Sequence, residues 1–157
     1  MIVRPATPHD VPVILRFVRE LADYEREPDA VVATEPMLVA ALFGAQPAAE
    51  ALLAEADGAA IGFALFFHNF STWTGRRGIY LEDLYVTPQA RGIGAGKALL
   101  RRLAHLAIER DCARIEWAVL DWNAPAIAFY DSVGAASMDE WTVRRVTGDA
   151  LAALAGV

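Results

Sequence analysis

Apolar and polar positions along the chain follow first a helical period, then a strand period, then both in alternation. Val11, Ile14, Leu15, Val18, Leu21 and Ala22 recur at helical spacing, with Arg16, Arg19, Glu20 and Asp23 on the other side, which predicts an amphipathic helix. Thr7-Pro8-His9-Asp10 supplies its start, with a hydroxyl at the cap, proline in the first turn and a carboxylate three residues on. Ile2-Val3-Arg4 before it is a short strand. A second helix begins near Thr34-Glu35-Pro36 and carries Leu38, Ala41 and Leu42; residues 44–49 read as a loop. Ala51–Ala56 and Ala60–Phe67 are strands joined at Asp57-Gly58, a hairpin-turn pair, and the second is apolar enough to be covered on both faces. Residues 69–78 read as a loop with an exposed Trp73, and Ile79–Val86 as the next strand, stopped by Thr87-Pro88. Leu99, Leu100, Leu103, Leu106 and Ala107 form the inner face of a helix running to about Arg110. Ala113–Leu120 is a strand, and Asn123-Ala124-Pro125 opens a short helix through Tyr130 that ends at Gly134. Thr142–Val146 is a late strand and Asp149–Leu154 a final helix.

This order predicts an α/β (α+β) architecture: a mixed, mostly antiparallel central sheet with one parallel β–α–β unit, flanked by helices. A length of 157 residues with no repeat or linker fits a single domain over 1–157. The stretch that carries most chemistry is Arg91-Gly92-Ile93-Gly94-Ala95-Gly96-Lys97, between a strand and a helix. Glycines let the backbone curl with positive φ, and a curl that ends in a helix start aims free N–H groups at one point, where the helix dipole favours an anion. The stretch reads as a pyrophosphate cradle. The glycine spacing suits neither a Walker A loop nor a dinucleotide fingerprint.

Charge and composition narrow the partners. The formal net charge is −6 with a pI near 5.0, so the basic face that nucleic acid needs is missing, and a cationic substrate is suited. Cys112 stands alone, which excludes a disulfide framework; His9, His68 and His105 are scattered with no metal-ligand spacing. No metal is expected. No apolar run is long enough to span a bilayer and none resembles a signal segment, so no membrane contact and a cytoplasmic location are the expectations.

Four segments together resemble one family. They are Ile2-Val3-Arg4-Pro5-Ala6-Thr7, Glu20-Leu21-Ala22-Asp23-Tyr24-Glu25, Tyr80-Leu81-Glu82-Asp83-Leu84-Tyr85-Val86, and Trp122-Asn123-Ala124-Pro125 leading to Phe129-Tyr130. With the Arg-x-x-Gly-x-Gly cradle, they resemble the diamine (spermidine/spermine) acetyltransferase branch of the GNAT superfamily of N-acetyltransferases. The resemblance implies the GNAT fold, acetyl-CoA as co-substrate, and transfer to a primary amine of a polyamine, diamine or thialysine-like amino acid by direct attack in a ternary complex. It also implies a homodimer, with residues 142–146 at or near the interface. Another amine acceptor (amino acid, antibiotic or protein), or a non-catalytic acyl-CoA sensor, stays open.

The chemistry sets requirements. An alkylammonium with pKa ~10 is only about one part in a thousand free base at neutral pH, so a base must take its proton before it attacks a thioester. Glu82 and Asp83 are adjacent on a strand and should point to opposite faces. The resemblance selects Glu82 as the substrate-facing base or relay and leaves Asp83 to hold neighbouring groups. It assigns Tyr130 as the acid that protonates the departing thiolate, and as a coenzyme contact. Asn123 is a helix cap by its type and position, and the resemblance adds a contact to the pantetheine arm. The backbone of Leu84, Tyr85 and Val86 should run beside the pantetheine amides, and the amides of Arg91, Gly92, Ile93, Gly94, Ala95, Gly96 and Lys97 should take the pyrophosphate. Lys97, the only lysine, opposes the helix dipole at its position, a cost that a phosphate would offset. Tyr24 and Glu25 match the family's acceptor-end pair, with Asp121 and Trp122 as further lining and Glu116 a weaker candidate. The acidic run from Glu20 to Asp29 is either a solvated face or an attractor for the cation.

Overall fold

The computed structural model describes residues 1–157. Five strands, β1 (Ile2–Pro5), β2 (Glu50–Ala56), β3 (Ala59–Ser71), β4 (Arg76–Val86) and β5 (Ile115–Glu116), form one sheet in sequence order. The first four pair antiparallel, and β5 lies parallel to β4. The helices are α1 (Val11–Tyr24), α2 (Glu35–Phe43), α3 (Ala95–Glu109), α4 (Ala124–Ser132) and α5 (Gly148–Ala155). The mixed sheet with one parallel β–α–β unit is therefore the architecture the sequence predicts. Two compact units are present, residues 1–122 and 123–157. No helix is long and apolar enough to cross a membrane.

In the first unit, register decides which side chains meet. Leu53 pairs with Phe63 and Phe63 with Tyr85, so the three line one face. Ile14 and Phe17 of α1 and Leu42 of α2 close on that face to make a buried cluster. Phe17 stacks on Phe63 at 5.8 Å between ring centroids and lies 5.6 Å from Tyr85. The alternate residues Leu52, Ala64, Phe66 and Leu81 are buried on the other face, where α3 packs with Leu99, Leu103 and Leu106 inward. Arg4 ties the edge strand to the start of α1: its guanidinium bonds both carboxylate oxygens of Asp10, at 2.8 and 2.9 Å, and also reaches Glu55.

Three expectations are corrected. Residues 69–78 are not a loop: β3 continues to Ser71 and β4 begins at Arg76, leaving a turn of four residues with Trp73 85% exposed at its tip. In the outer part of this hairpin the buried positions are the small or polar Ser71 and Gly78 while Phe70 and Trp73 are exposed, so the sequence carries no apolar alternation to read. Within it a Cβ on Gly78 would stand 2.4 Å from Asn69 Oδ1, so glycine is what lets Asn69 cross and donate from Nδ2 to Glu116 at 3.2 Å. The strand expected over Ala113–Leu120 reduces to Ile115–Glu116, because β4 is bulged at Glu82 and β5 does not follow it beyond that bend. Residues 142–146 form no strand; the second unit offers them no neighbouring strand, and a lone extended segment has nowhere to place its backbone hydrogen bonds. Phe17→Ala is expected to destabilise the fold by about 3–5 kcal/mol, read as a lower urea midpoint at unchanged slope.

Candidate active site

The β-bulge is the local event that shapes the site. Leu65 pairs with Asp83 and Phe66 with Leu81, so Glu82 is the extra residue on β4. The bulge breaks the strict alternation expected of Glu82 and Asp83. Glu82 is exposed. Asp83 turns to the α1 side, where it is half-buried with no hydrogen bond or ion pair to hold it, contrary to the supporting role expected of it. Burial first, then the charges of Glu82 and Glu25, push its carboxyl up to about 6. Glu25, just after α1, is likewise raised by burial.

Beyond Tyr80 the outer edge of β4 has no strand beside it, since the pairing with β5 ends at Tyr80 and Glu116. Leu84, Tyr85 and Val86 lie on this edge. The Tyr85 side chain is in the core, and its hydroxyl, pushed up to about 12 by burial and by the Glu20 carboxylate, borders a cleft. At the end of the strand the cradle has the expected geometry. Gly92 and Gly94 have φ of 83° and 89°, and no Cβ would be blocked by neighbours there, so backbone conformation alone demands glycine. The first turn of α3 is closed by Ala98 donating to Gly94 O at 2.9 Å, and no amide from Gly92 to Lys97 donates a well-formed backbone hydrogen bond. Lys97 is exposed on that turn. An open strand edge leading into a ring of free amides at a helix start fits a coenzyme with amides along its arm and a pyrophosphate at its bend.

A cleft of about 530 Å³ lies within the first unit, bordered by the end of α1 and by the segment that follows β4. Arg16, Glu20 and Tyr24 of α1 face Tyr85, Gln89 and Arg91 across it. Arg91 donates from Nε to Val86 O at 3.3 Å and lays its guanidinium 5.1 Å from the centre of the Tyr24 ring. Tyr24 in turn packs on Trp122 at 6.1 Å, so Trp122, Tyr24 and Arg91 are brought together. Asp121 is exposed beside Trp122. Glu116 is engaged by Asn69 and by Arg114 at 2.8 Å, which makes it a structural carboxylate. Asn123 and Tyr130 lie in the second unit. Asn123 caps α4, its Oδ1 accepting from the Ala126 amide at 3.4 Å, and Tyr130 is half-buried on α4 with its ring 5.4 Å from Phe129. Sequence reasoning missed Arg26, whose guanidinium lies 4.2 Å from the centre of the Trp122 ring. It gave Asp83 only a supporting role, whereas the structure leaves that carboxyl half-buried and unpaired.

Residues 16–135 match the Acetyltransferase (GNAT) family. The chain belongs to the GNAT acetyltransferases. Among relatives of this enzyme, the thialysine N-epsilon-acetyltransferase of Sus scrofa is 40% identical, with 99% of this chain and 98% of that protein covered. The L-ornithine N5-acetyltransferase NATA1 of Arabidopsis thaliana is 32% identical over 97% of this chain and 86% of its own length. In three dimensions, the V. cholerae integron cassette protein VCH_CASS6 superposes with a TM-score of 0.82 at 28% identity, covering 99% of this chain and 98% of the other. The likeness to the diamine acetyltransferase branch thus runs the whole length of the GNAT enzyme, and its activity is that of an acetyltransferase.

Asp83 makes stability depend on pH in a defined direction. The fold raises its pKa from 3.8 to about 6 and so opposes its ionisation. Stability is full below about pH 4 and is lost as pH rises through about 6. Asp83→Asn is expected to be more stable than the native protein near neutral pH, by about 2–3 kcal/mol, with the two melting curves converging below about pH 4.

Proposed function

We propose that this enzyme moves acetyl from acetyl-CoA to a primary amine of a small cationic acceptor, by direct attack within a ternary complex. The observation that carries the reading is the unpaired edge of β4 running into the free amides of the cradle, beside a cleft that also holds Tyr24. The backbone of Leu84–Val86 would bind the pantetheine arm and the amides of Arg91–Lys97 the pyrophosphate. Asn123 and Tyr130 would complete the coenzyme contacts. Arg91 now bonds the Val86 carbonyl, so it would give up that acceptor to the coenzyme.

On the acceptor side, Tyr24, Glu25, Asp121 and Trp122 would hold the cation. Glu82, exposed at the bulge, would take the ammonium proton directly or through water, with the carboxyl of Asp83 adding negative charge once ionised. Tyr130 would return a proton to the leaving thiolate. The relatives named for thialysine and for ornithine favour an amine carried on an amino acid over a simple polyamine. The protein would work in the cytoplasm as a homodimer, with residues 142–146 near the interface; a sedimentation experiment returning only monomer overturns that assembly.

The test is thiol release from acetyl-CoA with thialysine, lysine, ornithine, putrescine, spermidine and an aminoglycoside in turn. Release with the amino-acid amines or diamines is expected. No release with any, alongside demonstrated coenzyme binding, defeats the small-amine reading and favours a peptide acceptor or a sensor. Glu82→Gln is expected to lower kcat by about 10²-fold or more, while kcat/KM of the native enzyme falls as pH drops through about 6, where Asp83 takes up its proton. Unchanged turnover in the variant across pH removes Glu82 from the mechanism.

A further inference from the structure

Arg26 stands just beyond the end of α1 with φ of 66°, in the left-handed region that side chains other than glycine adopt at a cost. The other two such residues, Asp57 and Asp111, are aspartates in turns, a type that tolerates this conformation. At Arg26 the conformation ends α1, with Arg26 N–H donating to Asp23 O at 3.0 Å and Glu27 N–H to Ala22 O at 2.9 Å, a helix stop that glycine more often fills. The Arg26 guanidinium lies 4.2 Å from the centre of the Trp122 ring. Trp122 packs on Tyr24 at 6.1 Å, and Tyr24 carries the guanidinium of Arg91 at 5.1 Å. Four side chains therefore form a ladder of cation, aromatic, aromatic, cation. Glu25 and Glu27 flank Arg26 in sequence, yet neither Arg26 nor Arg91 is paired with a carboxylate.

The acceptor end thus has two poles of opposite sign. Glu25, Glu82 and Asp83 interact electrostatically and make the acidic pole. Arg26, held on Trp122, makes a basic one. A diamine or polyamine, positive at both ends, gains at the first pole and is repelled at the second. A diamino acid has an ammonium at one end and, at the other, a carboxylate beside its α-ammonium, so that end is neutral overall and offers an anionic group to the second pole.

We propose that Arg26 is a specificity-determining residue: its guanidinium pairs with the carboxylate of an amino-acid acceptor and so favours the side-chain amines of diamino acids over diamines that lack a carboxylate. The inference rests on the acceptor reading above. Trp122 holds the guanidinium by a cation–π contact at 4.2 Å, which uses none of its N–H groups and leaves them for a two-point carboxylate bond.

The test uses acceptor pairs that differ only in the carboxylate: lysine against cadaverine, and ornithine against putrescine, with acetyl-CoA saturating. The native enzyme is expected to show the higher kcat/KM for the amino acid of each pair. Arg26→Gln is expected to lower that preference about tenfold, through KM for the amino acid, with kcat for the diamine unchanged. Arg26→Lys keeps the charge and should restore part of the preference. Lysine methyl ester, with its carboxylate masked, should not distinguish Arg26→Gln from the native enzyme. An unchanged preference in Arg26→Gln overturns the inference, as does an equal loss on both acceptors of a pair, which marks a structural role. If the native enzyme acetylates none of these amines, the functional reading itself fails and this inference falls with it.

Discussion

The site depends on a hydrogen-bonding deficit along β4. A strand in the middle of a sheet satisfies its N–H and C=O groups on both sides. This one does so only up to Tyr80, because β5 leaves it after two residue pairs. From there to Val86 one row of backbone groups is left for water or for a ligand. The bulge at Glu82 sits at the start of that stretch, just past the last pair with β5. The same bulge upsets the order of side chains, so a carboxylate enters the half-buried space under α1.

Charge in the first unit follows from that geometry. Asp83 has no cation to balance it, and its proton is held by burial and by two other carboxylates. Two guanidinium groups are placed on aromatic rings instead: Arg91, which lines the cleft, on Tyr24, and Arg26 on Trp122. Each is held by a contact that leaves its hydrogen-bonding capacity largely unused. Opposite charges kept apart in one region are an arrangement that a ligand with both signs can complete. By contrast Arg4, Asp10 and Glu55 are mutually satisfied, and there the Asp10 carboxyl is held well below its usual range by the guanidinium of Arg4; that group serves the fold.

Much of this was legible in the sequence, and the failures share a cause. The helices of the first unit and strands β1 to β4 follow from periodicity and from cap and turn residues such as Thr34 and Asp57-Gly58, because one face of each is buried and imposes a pattern. The cradle was legible from Gly92 and Gly94, whose φ values no other residue adopts as cheaply. The tip of the β3–β4 hairpin was not, since its buried positions are Ser71 and Gly78 while Phe70 and Trp73 are exposed. The retreat of β5 from β4 was not, since Trp117, Val119 and Leu120 look like strand residues whether or not a neighbour is present. Asp83 was misjudged because alternation assumes a regular strand, and nothing local to Glu82 announces a bulge. Arg26 lay inside a run of acidic residues that read as solvated surface; its contact with Trp122 spans nearly the whole first unit and has no local signature.

Lys97 gains a different meaning beside this chemistry. Of 14 lysine and arginine residues it is the only lysine, and it is exposed on the first turn of α3. Arginine keeps its proton at any ordinary pH and is no nucleophile toward a thioester, whereas a lysine amine is one whenever it is free base. A protein that handles an activated acetyl group therefore presents almost no side-chain amine of its own to that group. Lys97 is thus the one side-chain amine that the chain offers to an acyl donor, and arginine supplies its other fixed positive charges.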